Sequence, residues 1–76
     1  MITEKRLSEL NCSDLSDFNT LLLGKYALGE RETASNLFME ANTRQQNNFL
    51  IDVKNNEDWQ PSVQSAVYKF FDNLLS

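Results

Sequence analysis

Apolar residues recur at intervals of three and four along most of this chain, and that spacing constrains its fold more than any other feature. An α-helix turns once every ~3.6 residues, so this spacing places the apolar side chains on one face of a helix. The clearest positions are Leu15, Phe18, Leu22 and Tyr26, then Ala34, Leu37, Phe38 and Ala41, and finally Val63, Val67, Phe70, Phe71 and Leu74. The sequence therefore predicts an all-α fold.

The predicted architecture is a small bundle in a single domain, because a chain of 76 residues has room for only one core. It consists of a short N-terminal helix and three principal helices, near residues 14–28, 31–54 and 61–75. Thr3 and Ser13 are the predicted N-caps of the first two helices. Pro61 begins the last helix, where its missing N–H group is tolerated.

The polar residues 42–48 allow two structures, a loop or the solvated middle of one long helix that reaches Lys54. The following Phe49-Leu50-Ile51-Asp52-Val53 is also rich enough in strand-forming residues for a short strand. We favour the helix, because apolar residues continue at helical spacing through this stretch with polar gaps. A strand would also need a partner that the sequence does not supply.

Gly24 and Gly29 have the spacing of the two glycines in a phosphate-binding loop. That motif requires a lysine and a hydroxyl residue directly after the second glycine. Glu30 and Arg31 follow Gly29 instead, so we predict no nucleotide site. The expected roles are structural: Gly24 allows two helices to approach closely, and Gly29 ends a helix in the left-handed conformation.

Leu23-Gly24-Lys25-Tyr26, followed by Ala34-x3-Phe38, resembles the helical hairpin of tetratricopeptide repeats. The chain departs from that pattern at Thr20, where the family has tryptophan, and it contains one copy at most. Such repeats need about three or more stacked copies. The resemblance therefore implies an antiparallel pair of helices around Gly29 and does not imply a repeat protein.

The absence of histidine excludes several kinds of chemistry. Ser-His-Asp and Cys-His nucleophiles cannot form, and neither can zinc sites of the usual Cys/His type. Cys12 is the only cysteine, so no internal disulfide can form, and a reducing compartment such as the cytoplasm is expected. We expect Cys12 to be a small buried side chain. The chain is predicted to be no enzyme and to bind no cofactor or metal ion.

The net charge of −4 and the isoelectric point near 4.5 disfavour some partners. Nucleic acids and anionic membranes both repel an acidic surface. The longest apolar run, Leu21-Leu22-Leu23, is far too short to cross a bilayer. The expected partner is therefore another protein, and a second copy of this chain is an alternative.

Trp59, Leu50 and Ile51 are the predicted contact residues, with Glu57 and Asp58 at their rim. Leu50 and Ile51 lie off the apolar face that contains Phe49, and tryptophan is enriched at the centres of protein interfaces. An exposed apolar patch is typical of a contact surface. The alternative for Trp59 is a packing role at the start of the last helix.

Two functions are consistent with these features. The favoured one is a non-catalytic protein–protein interaction module, such as an adaptor, assembly factor or inhibitor. The alternative is an acidic decoy that blocks a nucleic-acid-binding protein, of the kind that phages encode. A decoy predicts binding that weakens steeply with added salt, whereas contact through an apolar patch predicts a weak dependence on salt.

Overall fold

The computed structural model describes residues 1–76 as five α-helices joined by short loops, with no β-strand. The helices are α1 Glu4–Glu9, α2 Leu15–Ala27, α3 Arg31–Glu40, α4 Thr43–Lys54 and α5 Pro61–Asn73. The predicted all-α fold and short N-terminal helix are confirmed. None of the five helices combines the length and the apolar character that crossing a bilayer requires.

The helix predicted over residues 31–54 is interrupted, so the bundle has four principal helices and not three. Ala41 ends α3 in an extended conformation, with a ψ of 148°. Asn42 caps α4: its side-chain oxygen accepts a hydrogen bond from the Gln45 N–H at 2.8 Å, and the Gln45 side chain accepts one from the Asn42 N–H at 3.1 Å. This reciprocal pair satisfies amide groups that a helix start leaves without partners. The strand alternative for residues 49–53 is wrong.

Two of the predicted helix starts are confirmed and one is displaced. Thr3 caps α1 through its side chain, and Pro61 is the first residue of α5. The N-cap of α2 is Asp14 and not Ser13, because the Asp14 carboxylate accepts a hydrogen bond from the Asp17 N–H at 2.9 Å. A carboxylate is favoured over a hydroxyl there, since its charge opposes the positive end of the helix dipole.

The two glycines have different roles. Gly29 follows the end of α2 with a φ of +82°, and the predicted helix stop is confirmed. The N–H of Gly29 donates to the carbonyl of Tyr26 at 3.1 Å, and the N–H of Glu30 donates to the carbonyl of Lys25 at 2.9 Å. These two bonds form a Schellman motif. Gly24 is inside α2, with no neighbouring atom within 4 Å of a Cβ placed there, so the expected close approach is wrong.

The helices pack as two hairpins, α2 with α3 and α4 with α5. The first hairpin is the antiparallel pair around Gly29 that the tetratricopeptide resemblance implies. Helix α2 also packs on α4, where the buried amide of Asn19 donates a hydrogen bond to the Asp52 carboxylate at 2.7 Å. This bond satisfies a polar group that is costly to bury without a partner.

One core unites the two hairpins. Its buried apolar residues are Ile2, Leu7, Phe18, Leu22, Ala34, Leu37, Phe38, Ala41, Phe49, Leu50, Val53, Val67 and Phe71. Phe71 of α5 is at the centre, with ring centroids 5.2 Å from Phe38 and 4.7 Å from Phe49. It also lies 6.0 Å from Tyr26. The Phe71 ring therefore contacts aromatic rings of α2, α3 and α4.

The N-terminal segment covers the corner between α3 and α4. The Ile2 N–H donates to the Gln45 side-chain oxygen at 2.9 Å, and the Gln45 amide nitrogen donates to the Ile2 carbonyl at 2.9 Å. Arg6 donates two hydrogen bonds to the Glu40 carboxylate, at 2.9 and 3.0 Å. Gln45 therefore caps α4 and holds the N-terminal segment with the same side chain.

Candidate functional site

Apolar side chains are exposed on the outer face of the hairpin formed by α4 and α5. Ile51 is 55% exposed and Leu75 is 43% exposed, and half-buried Tyr68 lies beside them. These three side chains line a shallow depression of about 350 Å³ between the two helices, together with Leu50. Contiguous exposed apolar patches often mark contact surfaces.

Two more depressions continue this one in both directions. One, of about 420 Å³, shares Lys54, Tyr68 and Asp72 with it, and the other, of about 700 Å³, shares Asn47 and Ile51. We call the continuous surface the α4–α5 groove and define it by Arg44, Asn47, Leu50, Ile51, Lys54, Tyr68, Lys69, Asp72 and Leu75. The groove thus follows α4 from Arg44 to Lys54 and the second half of α5 from Tyr68 onward, and α4 alone lines its depression around Arg44.

The charges in the groove differ from those of the chain as a whole. Arg44, Lys54 and Lys69 line it, and Asp72 is its only carboxylate. None of these four side chains takes part in an ion pair within the protein. An acidic protein therefore presents a local excess of unpaired positive charge beside its exposed apolar side chains.

Trp59 is half-buried in the loop between α4 and α5, and it faces two surfaces. On one side it lines a small pocket of about 200 Å³ that is entirely apolar; the lining residues are Leu23, Tyr26, Ala27, Trp59, Val63 and Val67. On the other side it lines a depression shared with Glu57 and with Lys54 of the groove. Trp59 therefore packs against the bundle, as the packing alternative expects, and also marks the loop end of the α4–α5 groove.

The five predicted contact residues differ in their exposure and in the surface that they line. Leu50 and Ile51 both line the groove, but only Ile51 is exposed; Leu50 is 6% exposed, and the expectation that it is exposed is wrong. Glu57 and Trp59 line the adjoining depression at the loop end. Asp58 is exposed in the same loop, where its N–H donates to the Asn56 side chain. The contact role of all five stays a prediction.

The burial of Leu50 follows from the break before α4. Because the helix starts again at Thr43, its inner face is independent of α3 and includes Gln46, Phe49, Leu50 and Val53, at intervals of three and four. If the apolar face of α3 continued into an unbroken helix, Leu50 would lie on the outer side of that helix. The buried amide of Gln46 donates to the carbonyl of Phe38 at 3.1 Å, which fixes α4 against the end of α3.

The groove also contains four residues that the sequence does not predict as contact residues: Lys54, Tyr68, Lys69 and Leu75. Their signal in the sequence is the outward spacing of Pro61, Ser65, Tyr68, Asp72 and Leu75, which follows the helical period beside the buried Val67 and Phe71. That spacing shows which face of α5 is turned outward. It does not show that α4 presents Ile51 and Lys54 alongside.

The remaining reactive groups are held in ordinary structural environments. Cys12 is half-buried; burial, and then the carboxylates of Asp17 and Asp14, raise the pKa of its thiol above the usual value. A raised pKa keeps the thiol protonated and weakens it as a nucleophile. No group of three or more Cys, Asp or Glu side chains is placed to hold a metal ion.

No protein-family model, curated protein or solved structure matches this chain.

Proposed function

We propose that the protein is a non-catalytic protein–protein interaction module that binds its partner through the α4–α5 groove. The observation that carries the proposal is the exposure of Ile51 and Leu75, which line one depression together with Tyr68. Burial of these side chains by a partner removes apolar surface from water, which is a main driving force for association. Trp59, with Glu57 and Asp58 nearby, forms the edge of the same surface.

The absence of catalysis is part of the proposal. General acid–base catalysis depends on a polar group held in a partly dry site with an altered pKa. Every buried side-chain nitrogen and oxygen in this protein already has a hydrogen-bond partner within the chain. The groove is shallow, and its charged side chains Arg44, Lys54 and Lys69 are exposed. These features support binding more than chemistry.

The acidic-decoy alternative is supported less well. A decoy presents a dense row of carboxylates to a basic groove, in imitation of phosphates. Of the eleven carboxylate side chains, six already serve the protein itself in ion pairs, helix caps or hydrogen bonds; these are Glu9, Asp14, Asp17, Glu30, Glu40 and Asp52. The five that are left are spread over several elements.

Replacement of Ile51 tests the proposal. Partners captured from the native host are identified by mass spectrometry, and their affinity is then measured by titration calorimetry. We expect Ile51→Gln to weaken binding about fivefold or more, because an apolar contact is lost at the interface. Met39→Gln is the matched control, since Met39 is similarly exposed, at 52%, but lies on α3 outside the groove. Equal affinity of both variants and the wild type would remove the groove as the contact surface.

Replacement of Trp59 by alanine tests whether the edge of the surface contributes to binding in addition to its centre. We expect a loss of more than ~1 kcal/mol of binding free energy if Trp59 contacts the partner. Since Trp59 also packs on Val63 and its neighbours, thermal unfolding of the variant must be measured alongside. Unchanged affinity in a folded Trp59→Ala variant would restrict the contact surface to the groove itself.

A further inference from the structure

We propose that the α4–α5 groove binds an amphipathic helix of a partner protein whose polar face carries carboxylates. This inference rests on the proposed function and adds the chemistry of the partner. It depends on three observations: the shape of the groove between two helices, its apolar centre, and its unpaired positive charges.

The shape of the groove suits a helix. Two of its three depressions lie between α4 and α5, and a third helix laid there continues ordinary helix packing. The depression around Arg44 extends this surface along α4 alone. Arg44 and Lys54 are ten positions apart on α4, a separation of about 15 Å along the helix axis. A partner helix of about three turns covers that distance. The protein has no β-strand, so an extended segment has no sheet edge to join.

The central depression of the groove is lined mainly by apolar side chains. Ile51, Tyr68, Leu75 and the buried Leu50 line it together with Asn47, Lys54 and Asp72. A partner helix with apolar residues at spacings of three and four presents a matching stripe. This centre distinguishes the groove from a surface for nucleic-acid phosphates, which requires basic side chains along its whole length.

The charge of the groove selects an acidic partner. The groove holds three of the seven basic side chains of the chain but only one of its eleven carboxylates. Arg44, Lys54 and Lys69 make no ion pair within the protein. Carboxylates on the edges of a docked helix would be attracted to these three cations. A basic helix would face the same cations and be repelled.

Two synthetic peptides of about 18 residues, roughly 27 Å long as helices, test this chemistry. Both carry leucine at helical spacing; the flanking positions are glutamate in one peptide and lysine in the other. The full chain, labelled with ¹⁵N, is titrated with each peptide and followed by amide chemical shifts. We expect the glutamate peptide to shift the resonances of Asn47, Ile51, Lys54, Tyr68 and Lys69. The lysine peptide is expected to leave them unchanged.

Charge-neutral variants sharpen the test. The double variant Lys54→Gln/Lys69→Gln is expected to bind the glutamate peptide about fivefold more weakly than the wild type, because two exposed ion pairs are lost. Lys5→Gln is the control, since Lys5 is an exposed cation on α1, outside the groove. Added salt should weaken wild-type binding and reduce the difference between the wild type and the double variant.

Several results would overturn the inference. These are equal binding of the two peptides, binding of neither, and shifts confined to α1, α2 and α3. Shifts in the groove that depend on protein concentration without peptide would identify a second copy of the chain as the occupant. Tighter binding of a single-stranded oligothymidine than of the glutamate peptide would identify a nucleic-acid site.

The captured natural partner distinguishes this inference from the proposed function. If Ile51→Gln weakens its binding and the double lysine variant does not, the groove is a contact surface but the partner is not acidic. If neither variant changes the affinity, the proposed function fails as well. If both weaken it, the two proposals stand together.

Discussion

Residues 1–41 and residues 42–76 share one core but use their charged side chains differently. The first region has four basic and seven acidic side chains, and the second has three basic and four acidic ones. All of the ion pairs lie in the first region: Arg6–Glu9, Arg6–Glu40 and Lys25–Glu30. Its Arg31 also stacks over the ring of Tyr26, 4.4 Å from the centroid. In the second region, no cation forms an ion pair.

The cations of the first region are largely paired within the fold, whereas those of the second region are not. Three of the four basic side chains of the first region, Arg6, Lys25 and Arg31, have a partner within the fold. The second region leaves Arg44, Lys54 and Lys69 beside exposed Ile51. Since exposed ion pairs contribute little to stability, their absence there costs the fold little and leaves the charges available to a partner.

The largest predicted effect tests whether the two regions have one core. Phe71→Ala removes the ring that contacts aromatic rings of α2, α3 and α4, and such a deletion costs ~3–5 kcal/mol. A core of this size supplies about that much net stability, so we expect the variant to unfold throughout. Circular dichroism and Trp59 fluorescence should report the loss together.

The control for this variant is Leu75→Ala, an exposed position just beyond the same helix. It should keep the helical spectrum of the wild type. Amides of α2 and α3 that stay protected from hydrogen exchange in Phe71→Ala would show that the first region folds alone, and the single-core account would be wrong.

The two glycines of the first region give the next largest effects, with opposite signs. Gly29→Ala forces a side chain into the left-handed conformation at φ +82° and should cost about 1 kcal/mol. Gly24→Ala should stabilise the protein by about 0.5–1 kcal/mol, because Gly24 is inside α2 with open space around its Cβ position. Urea unfolding measures both changes. Changes of the same sign would contradict the assignment of these roles.

The sequence predicts most of the fold because its helices begin and end with local signals. Thr3 acts at the start of α1 through its side-chain hydrogen bond, and Gly29 and Pro61 act through the backbone conformations that their residue types favour. The break before α4 also has a local signal, since Asn42 and Gln45 have the spacing of a capping box. Apolar residues also continue at helical spacing on both sides of the break, and this periodicity favours an unbroken helix in conflict with the capping signal.

The candidate site is predictable only in part. The exposure of Ile51 follows from the position of Phe49 on a helix, and the structure confirms it. The groove also needs Tyr68 and Lys69, which depend on how α5 aligns with α4. That alignment is set by tertiary contacts; for example, the Gln64 amide donates to the carbonyls of Val53 and Asn56 at 2.9 and 3.1 Å. No local pattern specifies such contacts.

The smallest predicted effect tests the contrast in charge directly. Arg6→Gln breaks the paired hydrogen bonds to Glu40, so we expect a small decrease in the urea midpoint at low salt that shrinks as salt is added. Lys69→Gln removes a cation with no ion-pair partner, so its midpoint should match that of the wild type. If Lys69→Gln destabilised the fold as much as Arg6→Gln, the positive charge of the groove would already be used within the protein. The cations of the second region would then be paired within the fold like those of the first, and they could not select an acidic partner.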